Sequence, residues 1–329
     1  MATEASFNQP VSAHEPPVPN ARVQALMWNL RIDAGIAELV TALAATGVAS
    51  LVLKGPSLNA WFGEQSPRTY ADGDLLVAPE HGKRAAGVLA AVGFKPAGDE
   101  LGLPPWWLDH ASSWLRHGDA VAIDLHWRLQ GVELEPQAAW RRLWQDRVSF
   151  AVGGRPAHRL SEPAQVLYAA LHATHHGAAN ARGLRNLEAA LQAVPEAVWL
   201  QALGLAADLR AMEAFSTGLR LTDAGRALAE RIGAPDVRSV KTELYAATPP
   251  PVALGFEQLA AATAAGRVAI LARKLVPPPA FVRHWWPPAA RSSRMLVVGY
   301  LYRPLWLLEH APAGYRAWRA ARRRASSSS

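Results

Sequence analysis

Asp72 and Asp74 stand two residues apart in the run Asp72-Gly73-Asp74-Leu75-Leu76-Val77, whose apolar end reads as a β-strand. Side chains alternate across a strand with period two, so both carboxylates project from one face. Held that close they repel unless a positive charge lies between them, and a divalent cation is the chemistry this spacing invites. Upstream, residues 48–53 form a short aliphatic run broken by Lys54-Gly55-Pro56-Ser57. A Gly-x-Ser turn after a strand offers backbone N–H groups and a hydroxyl, which is what an anion such as a phosphate requires. Lys54 and Arg68 bracket the set, either neutralising phosphate charge or serving as surface cations. The plainer alternative makes Asp72 and Asp74 turn residues around Gly73, a residue that weakens a strand.

The elements that must position these groups follow from periodicity. A helix over 20–45, capped by Asn20, precedes a strand over 49–53, a short helix over 57–62 and a loop through Glu64-Gln65-Ser66-Pro67. After the aspartates, Pro79 opens a helical turn, 85–92 continues as a helix stopped by Gly93, and 94–97 is a short strand. Residues 112–116 and 120–128 form a hairpin around His117-Gly118-Asp119. In its second arm Ile123, Leu125 and Trp127 share one face, while Asp124 and His126 share the other, the face that chemistry uses. His126 either orients Asp124, contacts substrate or plays a structural part. A helix over 136–150 and a Gly153-Gly154 turn come next. From Leu160 the composition becomes alanine- and leucine-rich, with Ser161 as a helix cap, Pro-rich breaks at 249–251 and 277–279, and Trp285, Trp286 and Trp306 near the end.

The order of hydrophobic strand, Lys-Gly turn, helix, arginine and Asp-x-Asp-Leu-Leu-Val resembles the uncharacterised nucleotidyltransferase family of the polymerase-β-like superfamily. The stretch LSEPAQVLYAALHATHHG followed by RGLRNLEAAL, and YLYRPLWLL near the end, are similar to later parts of that family. The resemblance implies an α+β fold, a nucleotidyltransferase-like mixed sheet flanked by helices and followed by a mainly α-helical domain. It implies transfer of a nucleoside monophosphate from an NTP, ATP being the expected one, to a hydroxyl or similar group, with two Mg2+ ions. The acceptor is a small molecule, peptide or protein that the residues do not name. On this resemblance Asp72 and Asp74 are the metal-binding pair and Asp124 is the third catalytic, metal-binding carboxylate. Gly55 and Ser57 meet the β- and γ-phosphates, and Lys54 and Arg68 complete the nucleotide-binding set. A catalytically weak or inactive protein of the same fold, used for binding in a biosynthetic pathway, is the alternative.

With 329 residues, half of them hydrophobic, the chain is long enough for two domains. We expect a disordered segment over 1–19, the catalytic domain over 20–159, a helical domain over 160–311 and a basic tail over 312–329. The absence of cysteine excludes disulfides, iron–sulfur clusters and thiolate zinc sites and fits a cytoplasmic protein. The first residues lack the basic start and apolar run of a signal peptide. No apolar run reaches the ~20 residues that span a bilayer, and the longest, 295–302, halts at Arg303-Pro304. The net charge is +7, but setting aside Arg316, Arg319, Arg322, Arg323 and Arg324 leaves +2. The tail therefore reads as a solvated helix end, with an anionic partner or membrane surface as the sharper alternative, and nucleic acid is not the expected partner. Likewise 295–308 reads as a core helix or as a segment in peripheral contact with a membrane. His172, His175 and His176 fall at i, i+3 and i+4 of a helix, where they bind metal, pack against the catalytic domain or touch substrate. Acceptor specificity is expected from the Trp106-Trp107 loop and the helical domain.

Overall fold

The computed structural model describes residues 21–62, 69–97, 110–250 and 252–326. The segment 1–19, the Asn20 cap, the 64–67 loop, Arg68 and the Trp106-Trp107 loop lie outside the described residues. The described residues begin with α1 (Ala21–Ala45) and turn at Gly47, whose φ of 73° suits a residue without a side chain. There follow β1 (Ser50–Val52), a 3₁₀ turn (Gly55–Trp61), β2 (Gly73–Val77), a 3₁₀ turn (Pro79–His81) and α2 (Gly82–Ala91). Next come β3 (Lys95–Pro96), β4 (Ala111–Arg116), β5 (Val121–His126), α3 (Pro136–Gln145), β6 (Val148–Val152) and β7 (Arg155–Arg159). These strands form one mixed sheet in the order β3-β4-β5-β2-β1-β7-β6. The β2–β5 and β1–β7 pairs are parallel and the others antiparallel.

One expectation fails here. The helix expected over 136–150 ends at Gln145, and residues 148–152 instead form β6, paired with β7. Gly153 and Gly154 have φ of 52° and 73°, the two left-handed residues that a tight two-residue hairpin demands. The Gly-Gly turn thus organises the residues before it as well as after it, and β7 extends the sheet by pairing beside β1.

The two faces of the sheet differ. Val52, Leu75, Val77, Val121, Ile123 and Leu125 pack with Ile32, Ile36, Leu39 and Leu43 of α1 and with Ala85, Val88 and Leu89 of α2. Leu51, Leu53 and Leu76 point the other way, into a core shared with α3 and the helices that follow. Alternation along β2 and β5 therefore puts Asp74, Asp124 and His126 on this second face. Gly73 sits on the first. A Cβ there would come within 2.6 Å of Ile36 Cγ1 and 2.9 Å of Ile123 Cδ1, so only glycine lets α1 approach β2 this closely.

The helical region comprises α4 (Glu162–His176), α5 (Ala181–Ala193), α6 (Glu196–Asp208), α7 (Met212–Leu219), α8 (Asp223–Arg231) and α9 (Val240–Ala246). Four more follow: α10 (Ala253–Ala261), α11 (Ala264–Leu275), α12 (Pro279–Trp285) and α13 (Ser293–Ser326). Ser161 occupies the cap position of α4, though its hydroxyl makes no capping bond. From Ala164 to Leu171 every residue of α4 is buried, so this helix is the axis on which the region packs. Gln165 ties it to the sheet: its Nε2 donates to the Ser57 carbonyl at 2.9 Å, and its Oε1 accepts from Arg159 Nη1 at 2.7 Å. α13 runs through Pro304 and across residue 312, where the basic tail was expected to begin. Its far end is packed, with Ala321 buried against Leu244 and Ala253, and Trp318 Nε1 donating to Glu257.

Candidate functional site

Parallel pairing of β2 with β5 aligns Asp74 with Asp124 and Leu76 with His126, so residues fifty positions apart meet side by side. One donor atom from each of Asp74, Asp124 and His126 lies within 4.8 Å of the others. His126 Nε2 is 3.2 Å from Asp74 Oδ1, and Asp124 Oδ1 accepts from Ser113 Oγ at 2.6 Å across the β4–β5 pair. Lys54, just beyond β1, brings its Nζ to 2.9 Å from the same Asp74 oxygen and to 3.2 Å from His172 Nε2 on α4. A protonated amine has only donors, so His172 Nε2 accepts this bond and its ring is neutral.

The electrostatics follow from this crowding. Burial opposes ionisation of Asp74, which is 1% exposed, but Lys54 and His126 outweigh it and hold the carboxyl well below its ordinary value. Burial likewise disfavours the Lys54 ammonium, and Asp74 reverses that, so Lys54 stays charged. Asp72, half-buried ahead of β2, is pushed up by burial and then by Asp74, with Lys54 only partly compensating. The site therefore holds an excess of negative charge that its own cations do not cancel.

Lys54, Asp72, Asp74 and Asp124 line a cavity of about 200 Å³ with Gly55 and Tyr70 on the sheet side and His172, His176, Asn180, Arg182 and Asn186 on the helical side, while His126 stays buried behind Asp74. The structure thus brings together five sequence-derived residues: Lys54, Gly55, Asp72, Asp74 and Asp124. Gly55 borders the cavity with φ of 68° and the Tyr70 ring against it. Ser57 is different: it is buried, and its hydroxyl faces the Lys54 carbonyl at 3.3 Å rather than the cavity lining. Arg68 lies outside the described residues.

Sequence reasoning left His126 undecided and did not single out Asn180, Arg182 or Asn186. Arg182 and Asn186 are four apart and so share one face of α5, a signal present in the RGLRN run but meaningless until that face is known to meet the sheet. The three histidines of α4 divide. His172 and His176 border the cavity with ring centroids 4.3 Å apart, whereas His175 turns to His110 and Tyr245. His175 lines a second cavity of about 100 Å³ with Arg128, Glu133, Arg210 and Lys241. Burial and then His176 lower its pKa to about 3. Burial and Lys54 lower His172 and His176 too.

The donor set fits a hard or borderline divalent cation: two carboxylates and an imidazole whose Nδ1 is buried without a hydrogen-bond partner, beside a third carboxylate that lacks full compensation.

A sequence profile described as an uncharacterised nucleotidyltransferase matches residues 10–224. Among solved structures the chain is similar to the solution structure of the antibiotic-resistance factor ANT(2'')-Ia, at 16% identity and a TM-score of 0.39, over 55% of this chain and 94% of that one. It is similar to the crystal structure of ANT(2'')-Ia in complex with adenylyl-2''-tobramycin, at 14% identity and a TM-score of 0.38, over 54% and 96% of the two chains. An antigenic nucleotidyltransferase-like protein from Paracoccidioides brasiliensis gives 14% identity and a TM-score of 0.35 over 56% and 92%. No curated protein matches the sequence.

Proposed function

Since this chain belongs to the uncharacterised nucleotidyltransferase family, we propose that it moves a nucleoside monophosphate from an NTP, with ATP as the assigned donor, to a hydroxyl or similar group of an acceptor. The observation that carries this reading is the convergence of Asp74, Asp124 and the buried His126 within 4.8 Å, where the two carboxylates, with Lys54 and Asp72 beside them, line one cavity. Asp74, Asp124 and His126, with Asp72 beside them, would hold the divalent ions, two Mg2+ being the expected complement, and such ions would supply neutralisation of triphosphate charge.

The chain's own groups do the rest. Lys54, paired with Asp74 beside the cavity, offers its ammonium to the phosphates of the nucleotide. The open backbone at Gly55 lets a phosphate approach without a side chain in the way. Asp124, fixed by Ser113, takes the proton as the acceptor oxygen attacks the α-phosphorus. A new O–P bond forms, the bond between the α-phosphorus and its bridging oxygen breaks, and pyrophosphate leaves. Arg182 and Asn186 on α5 face the same cavity and contact the nucleotide or acceptor from the helical side. A cellular NTP as donor supports a cytoplasmic reaction.

Incubation with each of the common NTPs, Mg2+ and a panel of hydroxyl- and amine-bearing acceptors, read by pyrophosphate release, tests the reading. Release that needs both an acceptor and the divalent ion is expected. Release that persists unchanged in the Asp74→Asn/Asp124→Asn variant would overturn it.

A further inference from the structure

Between residues 264 and 326 the chain has twelve lysines and arginines and a single carboxylate, Glu309. That segment is +11, so with +7 for the whole chain the remainder is −4. Positive charge is thus gathered on α11 to α13 and not around the nucleotide cavity. The same segment displays aliphatic side chains to solvent. On α13, Val297, Val298, Leu301, Leu305 and Leu308 are 44% to 69% exposed.

Spacings of four, four and three from Val297 put Leu301, Leu305 and Leu308 on one helical face. The opposite face is packed: Gly299 and Arg303 are buried, with Arg303 lying over the rings of Phe281, Trp285 and Trp306. Arg303 Nε also donates to the Lys274 carbonyl, and Tyr300 Oη to that of Pro277, which fixes which way the helix faces. Followed along its length, the outer face begins with exposed Arg294, continues through the aliphatic stripe and ends in exposed Arg316, Arg319 and Arg323. Between Val297 and Leu308 the stripe is roughly 17 Å long at 1.5 Å per residue. Among the described residues no helix is long and apolar enough to cross a membrane.

We propose that this face of α13 docks the protein on an anionic lipid bilayer. Leu301, Leu305 and Leu308 enter the interface, and Arg294, Arg316, Arg319 and Arg323 meet lipid phosphates. The two halves of the surface select this partner together. An aliphatic stripe has no counterpart on a nucleic acid, and cationic ends have none on a neutral apolar surface, whereas an anionic leaflet supplies both. Exposed Val268 and Leu271 and the basic residues of neighbouring α11 enlarge the same character.

Co-sedimentation of the full chain with vesicles of phosphatidylcholine alone, or of phosphatidylcholine with phosphatidylglycerol, tests the proposal. We expect binding to the anionic vesicles that weakens as salt is added. Replacing the three cations (Arg316→Glu, Arg319→Glu, Arg323→Glu) should reduce that binding about a hundredfold or more. Replacing the three leucines (Leu301→Ser, Leu305→Ser, Leu308→Ser) should reduce it by about as much. Circular dichroism should show both variants folded, and Leu200→Ser, at an exposed site on α6, should bind as the parent does. Equal binding to both vesicles, or none, would overturn the proposal. So would a concentration-dependent dimer that the leucine variant abolishes in the absence of vesicle binding, because the face would then belong to a second copy.

Discussion

The β2–β5 strand pair has two faces that obey opposite rules. Toward α1 and α2 it is dry and filled to contact, so that Gly73 has no room for one more carbon beside Ile36. Toward α4 and α5 the same residues' neighbours are Asp74, Asp124 and His126, with the two like-charged carboxylates bordering a cavity. The first face supplies the rigidity that makes the second possible. Carboxylates stay this close only when the backbone beneath them cannot relax, and interdigitated aliphatic packing is what prevents relaxation. Gly73 is the hinge of the comparison: on the chemical side it separates two acids, and on the packed side it is the contact point for a helix.

Substitutions on the charged face should act mainly on chemistry. Asp74→Asn or Asp124→Asn should lower transfer by on the order of 10³-fold or more, measured as pyrophosphate release, since the barrier loses several kcal/mol of charge stabilisation. Asp74→Ala goes further, because it also leaves the Lys54 ammonium buried without its partner, and thermal or urea unfolding should show about 3–5 kcal/mol of lost stability. Next in size, Lys54→Met should reduce transfer by about 10²-fold while strengthening binding of the divalent ion in the absence of nucleotide, since the amine no longer competes for Asp74. Titration calorimetry separates the two effects, and weaker ion binding in this variant would break the assigned competition.

On the packed face the expected change is in folding. Gly73→Val should cost about 2–3 kcal/mol in urea unfolding through overpacking against Ile36 and Ile123. Adding Ile36→Val should restore part of that loss, and simple additivity of the two changes would contradict the contact.

The last effect concerns pH. His175 has a folded pKa lowered to about 3, and burial lowers His172 and His176 as well, against an ordinary value of 6.5. Below 6.5 the unfolded chain takes up protons that the folded one refuses, so stability is fully present above 6.5 and declines toward about 3. Urea midpoints in neutral and in mildly acidic buffer measure this, and a His175→Phe variant should flatten the slope.

Local pattern made much of this readable. The α1 periodicity, the hairpin around His117-Gly118-Asp119 and the alternation that set Asp124 apart from Ile123 and Leu125 all depend on near neighbours. Two features depended on distant ones. That His126 joins Asp74 rests on the parallel register of β2 with β5, which no local spacing encodes. That Arg182 and Asn186 face the cavity rests on how α5 docks. The β6 strand was hidden for a different reason, because helical periodicity through Trp144 runs directly into it without a proline or glycine between. The helix read over 295–308 is part of the much longer α13, which continues through Pro304 and Pro312 with Gly299, Arg303, Gly314 and Ala321 buried along it.

The central claim, that Asp74, Asp124 and His126 form a divalent-cation site serving a nucleotide, is tested most directly by calorimetric titration of the protein with a non-hydrolysable ATP analogue, with and without Mg2+. The account predicts saturable binding that requires Mg2+ and is lost in Asp74→Asn, Asp124→Asn and His126→Ala variants whose unfolding midpoints show them to be folded. Nucleotide binding that is indifferent to Mg2+ and to all three substitutions, or absence of binding by any NTP to the parent protein, would contradict it.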